Sequence, residues 1–129
     1  MGNRVKHSFK MYDALRIDHA RALYNYYEIP YGDKTAENGK WVKGPGKALV
    51  DYLIKDNKGK EIILEDLGNL DEQCRKFLDN TNLPTMRIFQ FAFDGTNNPH
   101  IPHNYIHNCI AYTGTHDHPT ILDWLYSQN

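Results

Sequence analysis

Three short apolar runs each lead to an acidic side chain. Ala14-Leu15-Arg16-Ile17 leads to Asp18, Ile62-Ile63-Leu64 leads to Glu65, and Cys109-Ile110-Ala111-Tyr112-Thr113 precedes His116 and Asp117. Paired carboxyl groups cleave a sugar acetal. One attacks or stabilises the anomeric carbon and the other protonates the leaving oxygen; in the retaining geometry they stand about 5–5.5 Å apart. Asp18 and Glu65 close consecutive apolar runs, a placement that neighbouring strands convert into that separation. Arg16 lies two residues before Asp18, so on a strand both side chains share a face. A fixed guanidinium there keeps Asp18 ionised and oriented as a nucleophile. A general acid must carry a proton, and the apolar Ile62-Ile63-Leu64 run suits that for Glu65. Acidic residues at strand ends also cap helices or pair with lysines, and spacing alone leaves both readings open.

These residues need elements that bring them together. Ala14–Asp18, Glu61–Glu65, Arg87–Phe93 and Cys109–Thr113 read as strands. Gly46–Asp56 reads as a helix, with Leu49, Val50, Leu53 and Ile54 at helical spacing and Asn57-Lys58-Gly59 to stop it. Asp71–Asn80 reads as a second helix and Thr120–Tyr126 as the start of another. His19–Tyr27 reads as a short helix or turn, Met1–Met11 as a leading helix or frayed start, and the stretches Pro30–Pro45 and Asp94–Tyr105 as long loops. Strand–helix alternation argues for a parallel sheet with crossover helices. Asp18 and His19, Glu65 and Asp66, Asp94, and His116 and Asp117 then follow the C-terminal ends of strands, the edge where parallel α/β folds place their chemistry.

Composition narrows the partners. The 129 residues carry 15 basic and 16 acidic side chains, for a net charge of -1, so no basic field awaits nucleic acid. No apolar run approaches the length of a membrane span and no secretory signal is visible, so the expectation is a cytoplasmic chain with Cys74 and Cys109 as reduced thiols. His100, His103, His107, His116 and His118, with Asp117, match no standard metal spacing, and prolines at 99, 102 and 119 break any shared helical face, so no metal site is expected. Trp41, Tyr112 and the Tyr24-Tyr26-Tyr27 cluster offer flat faces to sugar rings or, equally, to a core.

Several blocks together resemble one family. Arg16-Ile17-Asp18-His19, Glu65-Asp66-Leu67-Gly68 and Tyr112-Thr113-Gly114-Thr115-His116-Asp117 are similar to the core motifs of 4-alpha-glucanotransferases, the amylomaltases or disproportionating enzymes of glycoside hydrolase family seventy-seven. The stretches Thr35–Gly46, Phe89–Gly95 and Asn98–Tyr105 resemble the same family, and the likeness runs from about Asp13 to Trp124. The resemblance implies an α/β fold: a partial (β/α)8 TIM barrel, about strands four to seven with their helices. Residues 1–129 then form a single partial catalytic barrel domain, with residues 1–12 as a leading helix or tail. It implies Asp18 as nucleophile, Glu65 as general acid and then base, and Asp117 as the third carboxylate, gripping sugar hydroxyls. Arg16, His116, Asp94 and His19 would bind the substrate. The implied reaction moves a segment of an α-1,4-glucan or maltooligosaccharide from one chain to another by double displacement, with no metal or organic cofactor. A barrel of this kind needs about 250 residues, so the chain is also expected to self-associate or pair with the missing half-barrel. The competing reading is an inactive half-barrel that at most binds α-glucan.

Overall fold

The computed structural model describes residues 1–128 and divides into two compact units, Met1–Leu83 and Pro84 onward. The first unit runs α1 (Gly2–Ser8), β1 (Ala14–Ile17), α2 (Arg21–Tyr24), β2 (Asn25–Glu28), β3 (Lys40–Lys43), α3 (Gly46–Asp56), β4 (Glu61–Leu64) and α4 (Glu72–Asp79). β1 and β4 pair in parallel, with Leu15 opposite Ile62, Arg16 opposite Ile63 and Ile17 opposite Leu64. Parallel neighbours need a long crossover, and the stretch carrying α3 supplies it.

Alternation sorts the strand side chains onto two faces. Ile62 and Leu64 are buried in the core, and Leu15 and Ile17 pack against it. Val50 and Leu53, three residues apart on α3, and Cys74 and Leu78, four apart on α4, complete that core from the helices. The Asp71 carboxylate accepts the Cys74 N–H at 2.8 Å and caps α4, which fixes where the β4–α4 connection ends. Arg16, and Asp18 one step beyond β1, belong to the face that the core leaves free.

The stretch Pro30–Pro45 is not all loop. Lys40–Lys43 forms β3, antiparallel to β2, with Tyr26 opposite Val42 and Tyr27 opposite Trp41. Aromatic and β-branched residues pair well across strands, but residues 29–39 separate the partners and hide the hairpin from a local reading. Gly44 ends β3 against α2. A Cβ there would lie 2.4 Å from the Ala22 carbonyl oxygen, so only glycine allows that approach.

The second unit contains β5 (Thr85–Ile88), β6 (Cys109–Tyr112) and α5 (Ile121–Tyr126), with short 3-10 turns at Phe89–Phe91 and Pro102–Asn104. β5 and β6 pair in parallel, Thr85 opposite Cys109 and Ile88 opposite Tyr112. The strand expected at Arg87–Phe93 starts earlier and stops at Ile88. A continuous apolar run does not mark its own end. Here Phe91 turns out of the strand to stand edge-on to His100 at 5.3 Å and to His118 at 5.0 Å. Asp94 therefore follows a turn and does not sit directly at a strand end. Thr120 caps α5, its hydroxyl accepting the Asp123 N–H at 3.2 Å. Among the described residues, no helix is long and apolar enough to cross a membrane.

Candidate active site

Asp18 and Glu65 stand side by side. Their strands are in register through Ile17 and Leu64, and the next residue of each is the carboxylate. Adjacent strands lie about 4.7–4.9 Å apart, so the two residues leave the sheet from neighbouring backbone positions. The main chain continues the pairing past the strand ends: Glu65 N–H donates to the Ile17 carbonyl at 3.0 Å, and Ala20 N–H donates to the Glu65 carbonyl at 3.0 Å.

The two carboxylates are held differently. Arg16 Nη2 meets Asp18 Oδ1 at 2.7 Å, and the Asp18 side chain is about two-thirds exposed (66%). Alternation along β1 accounts for the pair, since residues two apart share a face. Glu65 is buried at 8% exposure. Its Oε2 accepts the His19 N–H at 2.7 Å and its Oε1 accepts the Leu67 N–H at 2.6 Å. One main-chain donor thus fixes each oxygen of the Glu65 carboxyl group. Of the apolar residues expected to surround the Glu65 carboxyl, Ile62 and Leu64 lie instead in the core.

His19 makes this possible with its backbone. Its φ is 46°, in the left-handed region that non-glycine residues seldom enter. That turn takes the chain from β1 into α2 and aims the His19 N–H at Glu65. His19 lines a cavity of about 450 Å³ together with Trp41, Leu67, Gly68, Asn69 and Asp71. One wall is fixed by Arg21. Its guanidinium lies 4.3 Å from the Trp41 ring centroid, donates to Asn25 Oδ1 at 3.1 Å and to the Asn69 carbonyl, and pairs with Asp71 at 3.2 Å.

The second unit carries Asp94, His116 and Asp117. His116 Nε2 and Asp117 Oδ1 are 3.3 Å apart and largely exposed. Their loop is latched internally: His118 Nδ1 accepts the Thr115 N–H at 3.1 Å and also meets the Thr115 hydroxyl at 2.6 Å. Asp94 lines a separate cavity of about 440 Å³ with Phe93, Asn98, His100 and Trp124. Among the described residues, no three His, Cys, Asp or Glu side chains converge as metal ligands. His100 Nδ1 instead accepts the Ile88 N–H at 3.0 Å.

Comparison with known proteins settles the family. The family model described as 4-alpha-glucanotransferase, glycoside hydrolase family 77, matches residues 1–129. The chain belongs to the 4-alpha-glucanotransferase family. It is 52% identical over 124 residues to the 4-alpha-glucanotransferase of Clostridium butyricum, covering 95% of this chain and 25% of that one. It is 42% identical over 121 residues to the Aquifex aeolicus 4-alpha-glucanotransferase, covering 94% of this chain and 25% of the relative. Among solved structures, amylomaltase from Streptococcus agalactiae in complex with acarbose superposes with a TM-score of 0.84 at 38% identity, covering 98% of this chain and 26% of that one. The chain thus has the α/β architecture of a partial amylomaltase TIM barrel and spans about a quarter of the length of the relatives it matches.

Within this 4-alpha-glucanotransferase segment, the first unit holds Arg16, Asp18, His19 and Glu65, and the second holds Asp94, His116 and Asp117. Two features escaped the sequence reading. Arg21 carried no motif signal, and its partners Asn25, Trp41, Asn69 and Asp71 are spread over three segments. The structural work of the His19 main chain was equally hidden, because a backbone angle leaves no mark on residue type.

Proposed function

We propose that this chain carries the reacting carboxylates of an α-1,4-glucan transferase working by retaining double displacement. The observation that carries the reading is the parallel register that sets Asp18 beside Glu65, with Arg16 fixed on Asp18. Asp18 Oδ attacks the anomeric carbon of the donor glucan while Glu65 gives its proton to the departing 4-oxygen; the glycosidic C–O bond breaks and a glycosyl ester on Asp18 forms. Glu65, now a carboxylate held by the His19 and Leu67 N–H groups, takes the proton from the 4-hydroxyl of an accepting glucan. That oxygen attacks the anomeric carbon and expels Asp18. Two inversions give net retention. Each step is substitution at the anomeric carbon by an oxygen of Asp18 or of the acceptor, coupled to a proton transfer through Glu65, so no metal or organic cofactor is required.

Arg16 holds the Asp18 carboxylate in place for attack. Asp117 grips sugar hydroxyls as the third carboxylate, and His116, Asp94 and His19 contribute further sugar contacts. The acarbose complex of the amylomaltase relative supports a maltooligosaccharide-like substrate. β1 and β6 each have a neighbour on one edge only among the described residues, and open parallel edges take up further strands. Self-association or pairing with the remaining barrel strands follows, in the cytoplasm, where Cys74 and Cys109 stay free thiols. The test is disproportionation of maltotriose by the purified protein. Glucose and longer maltooligosaccharides should appear in the wild type and vanish in Glu65→Gln; equal turnover in both would contradict the reading.

A further inference from the structure

Gln90 is a buried amide, 6% exposed, on the turn after β5. It touches both ends of the loop that carries His116 and Asp117. Its main-chain N–H donates to the Thr113 carbonyl at 3.1 Å, where the loop begins. Its side-chain Nε2 donates to the Pro119 carbonyl at 3.0 Å, where the loop ends. Between these points the loop presses on the amide: a Cβ added to Gly114 would lie 2.8 Å from Gln90 Oε1 and 3.1 Å from its Cδ.

Gln90 Oε1 is buried with no hydrogen-bond partner among the described residues. An orphaned buried acceptor is unfavourable, and an apolar side chain of similar volume would avoid it. What such a side chain could not do is donate to Pro119. The position therefore trades an unsatisfied oxygen for a single fixed donor, which marks the geometry of the loop as the purpose of the amide.

We propose that Gln90 is a positioning residue for Asp117, its amide bracing the Thr113–Pro119 loop from beneath through the Pro119 carbonyl and the face of Gly114. The link to turnover rests on the reading of Asp117 as the third carboxylate. The internal latch between Thr115 and His118 shapes the middle of the loop, and Gln90 fixes its two ends.

Hydrogen exchange and steady-state kinetics test this together on Gln90→Met, which keeps the volume and removes the donor. Gly114→Ala approaches the same contact from the loop side and serves if Gln90→Met fails to fold. Either variant should speed exchange at the Thr115, Asp117 and His118 amides by about tenfold, as losing one local hydrogen bond does, while β5 and β6 keep their protection. The kcat for maltotriose should fall about 10²-fold with KM within a few-fold, as expected when a reacting group is misplaced by about 1 Å. Exchange that rises uniformly across the unit, or a folded variant with unchanged loop exchange and kcat, overturns the proposal. If the wild type shows no transfer, the proposed function fails on its own, and the exchange pattern alone decides the brace: acceleration confined to the loop supports it, and any other pattern overturns it.

Discussion

His19 donates its main-chain N–H to Glu65 Oε2 at 2.7 Å, across two segments separated by 46 residues, and does so from a left-handed backbone. The orientation of the buried carboxylate thus depends on how the chain turns after β1, and not on a neighbouring side chain. His19→Gly should keep that geometry, because glycine enters the left-handed region freely. His19→Val should lose about 1–2 kcal/mol relative to His19→Gly, the cost of a β-branched residue in that conformation. Urea unfolding of the two variants checks the difference; equal stability would show that the backbone angle is unimportant.

Glu65→Gln changes one oxygen for an amide NH2, which cannot accept a hydrogen bond. One of the His19 and Leu67 N–H groups then faces a donor. The variant should be less stable by about 1–3 kcal/mol, and its transfer rate should fall by about 10²–10⁴-fold through loss of acid and base catalysis. Denaturation and maltotriose turnover measure the two effects separately. A variant as stable as the wild type would contradict the bonding described at Glu65.

Burial raises the Cys74 thiol above its ordinary value, and this cause outweighs the nearby Arg21 guanidinium. A thiol with a raised folded pKa keeps its proton longer in the native state than in the unfolded chain. Stability from this group is therefore complete below the ordinary thiol value of 9.0 and is lost as pH rises through the folded value. A thiol reagent at neutral pH should label Cys109, which is half-buried, well before Cys74, which is inaccessible. Labelling of both at the same rate without denaturant would be the contrary result.

Arg21 joins α2, the β2–β3 hairpin and the β4–α4 connection through one guanidinium. Lysine keeps the charge but offers neither the planar fork nor the flat face laid on Trp41. Arg21→Lys should cost about 1.5–3 kcal/mol, the range for hydrogen bonds to a charged group. Guanidinium-free urea melts give the number, and a loss within 0.5 kcal/mol, about the usual scale of surface changes, would show that the cluster is ornamental to stability.

The core and the site were legible to different extents. Ile62, Leu64, Val50 and Leu53 announce themselves by period, and Asp18 and Glu65 by their place after apolar runs. The hairpin was not legible, because Tyr26, Tyr27, Trp41 and Val42 recognise one another across residues 29–39 and no local pattern encodes that pairing. The end of β5 was missed for a related reason: Phe89, Phe91 and Phe93 continue an apolar run that aromatic contacts with His100, His118 and Trp124 pull out of the strand. Periodicity reports which side chains are buried; it does not report what they meet.

In the proposed reaction Asp18 attacks sugar while Glu65, beside it, handles the proton. α-Maltotriosyl fluoride tests this in Glu65→Gln, since fluoride departs without an acid and the missing base slows release of the ester. Peptide mass mapping should find a maltotriosyl group on the segment containing Asp18, and none when Asp18→Asn is added. A sugar adduct on any other residue, or a wild-type product of inverted anomeric configuration, would contradict the account.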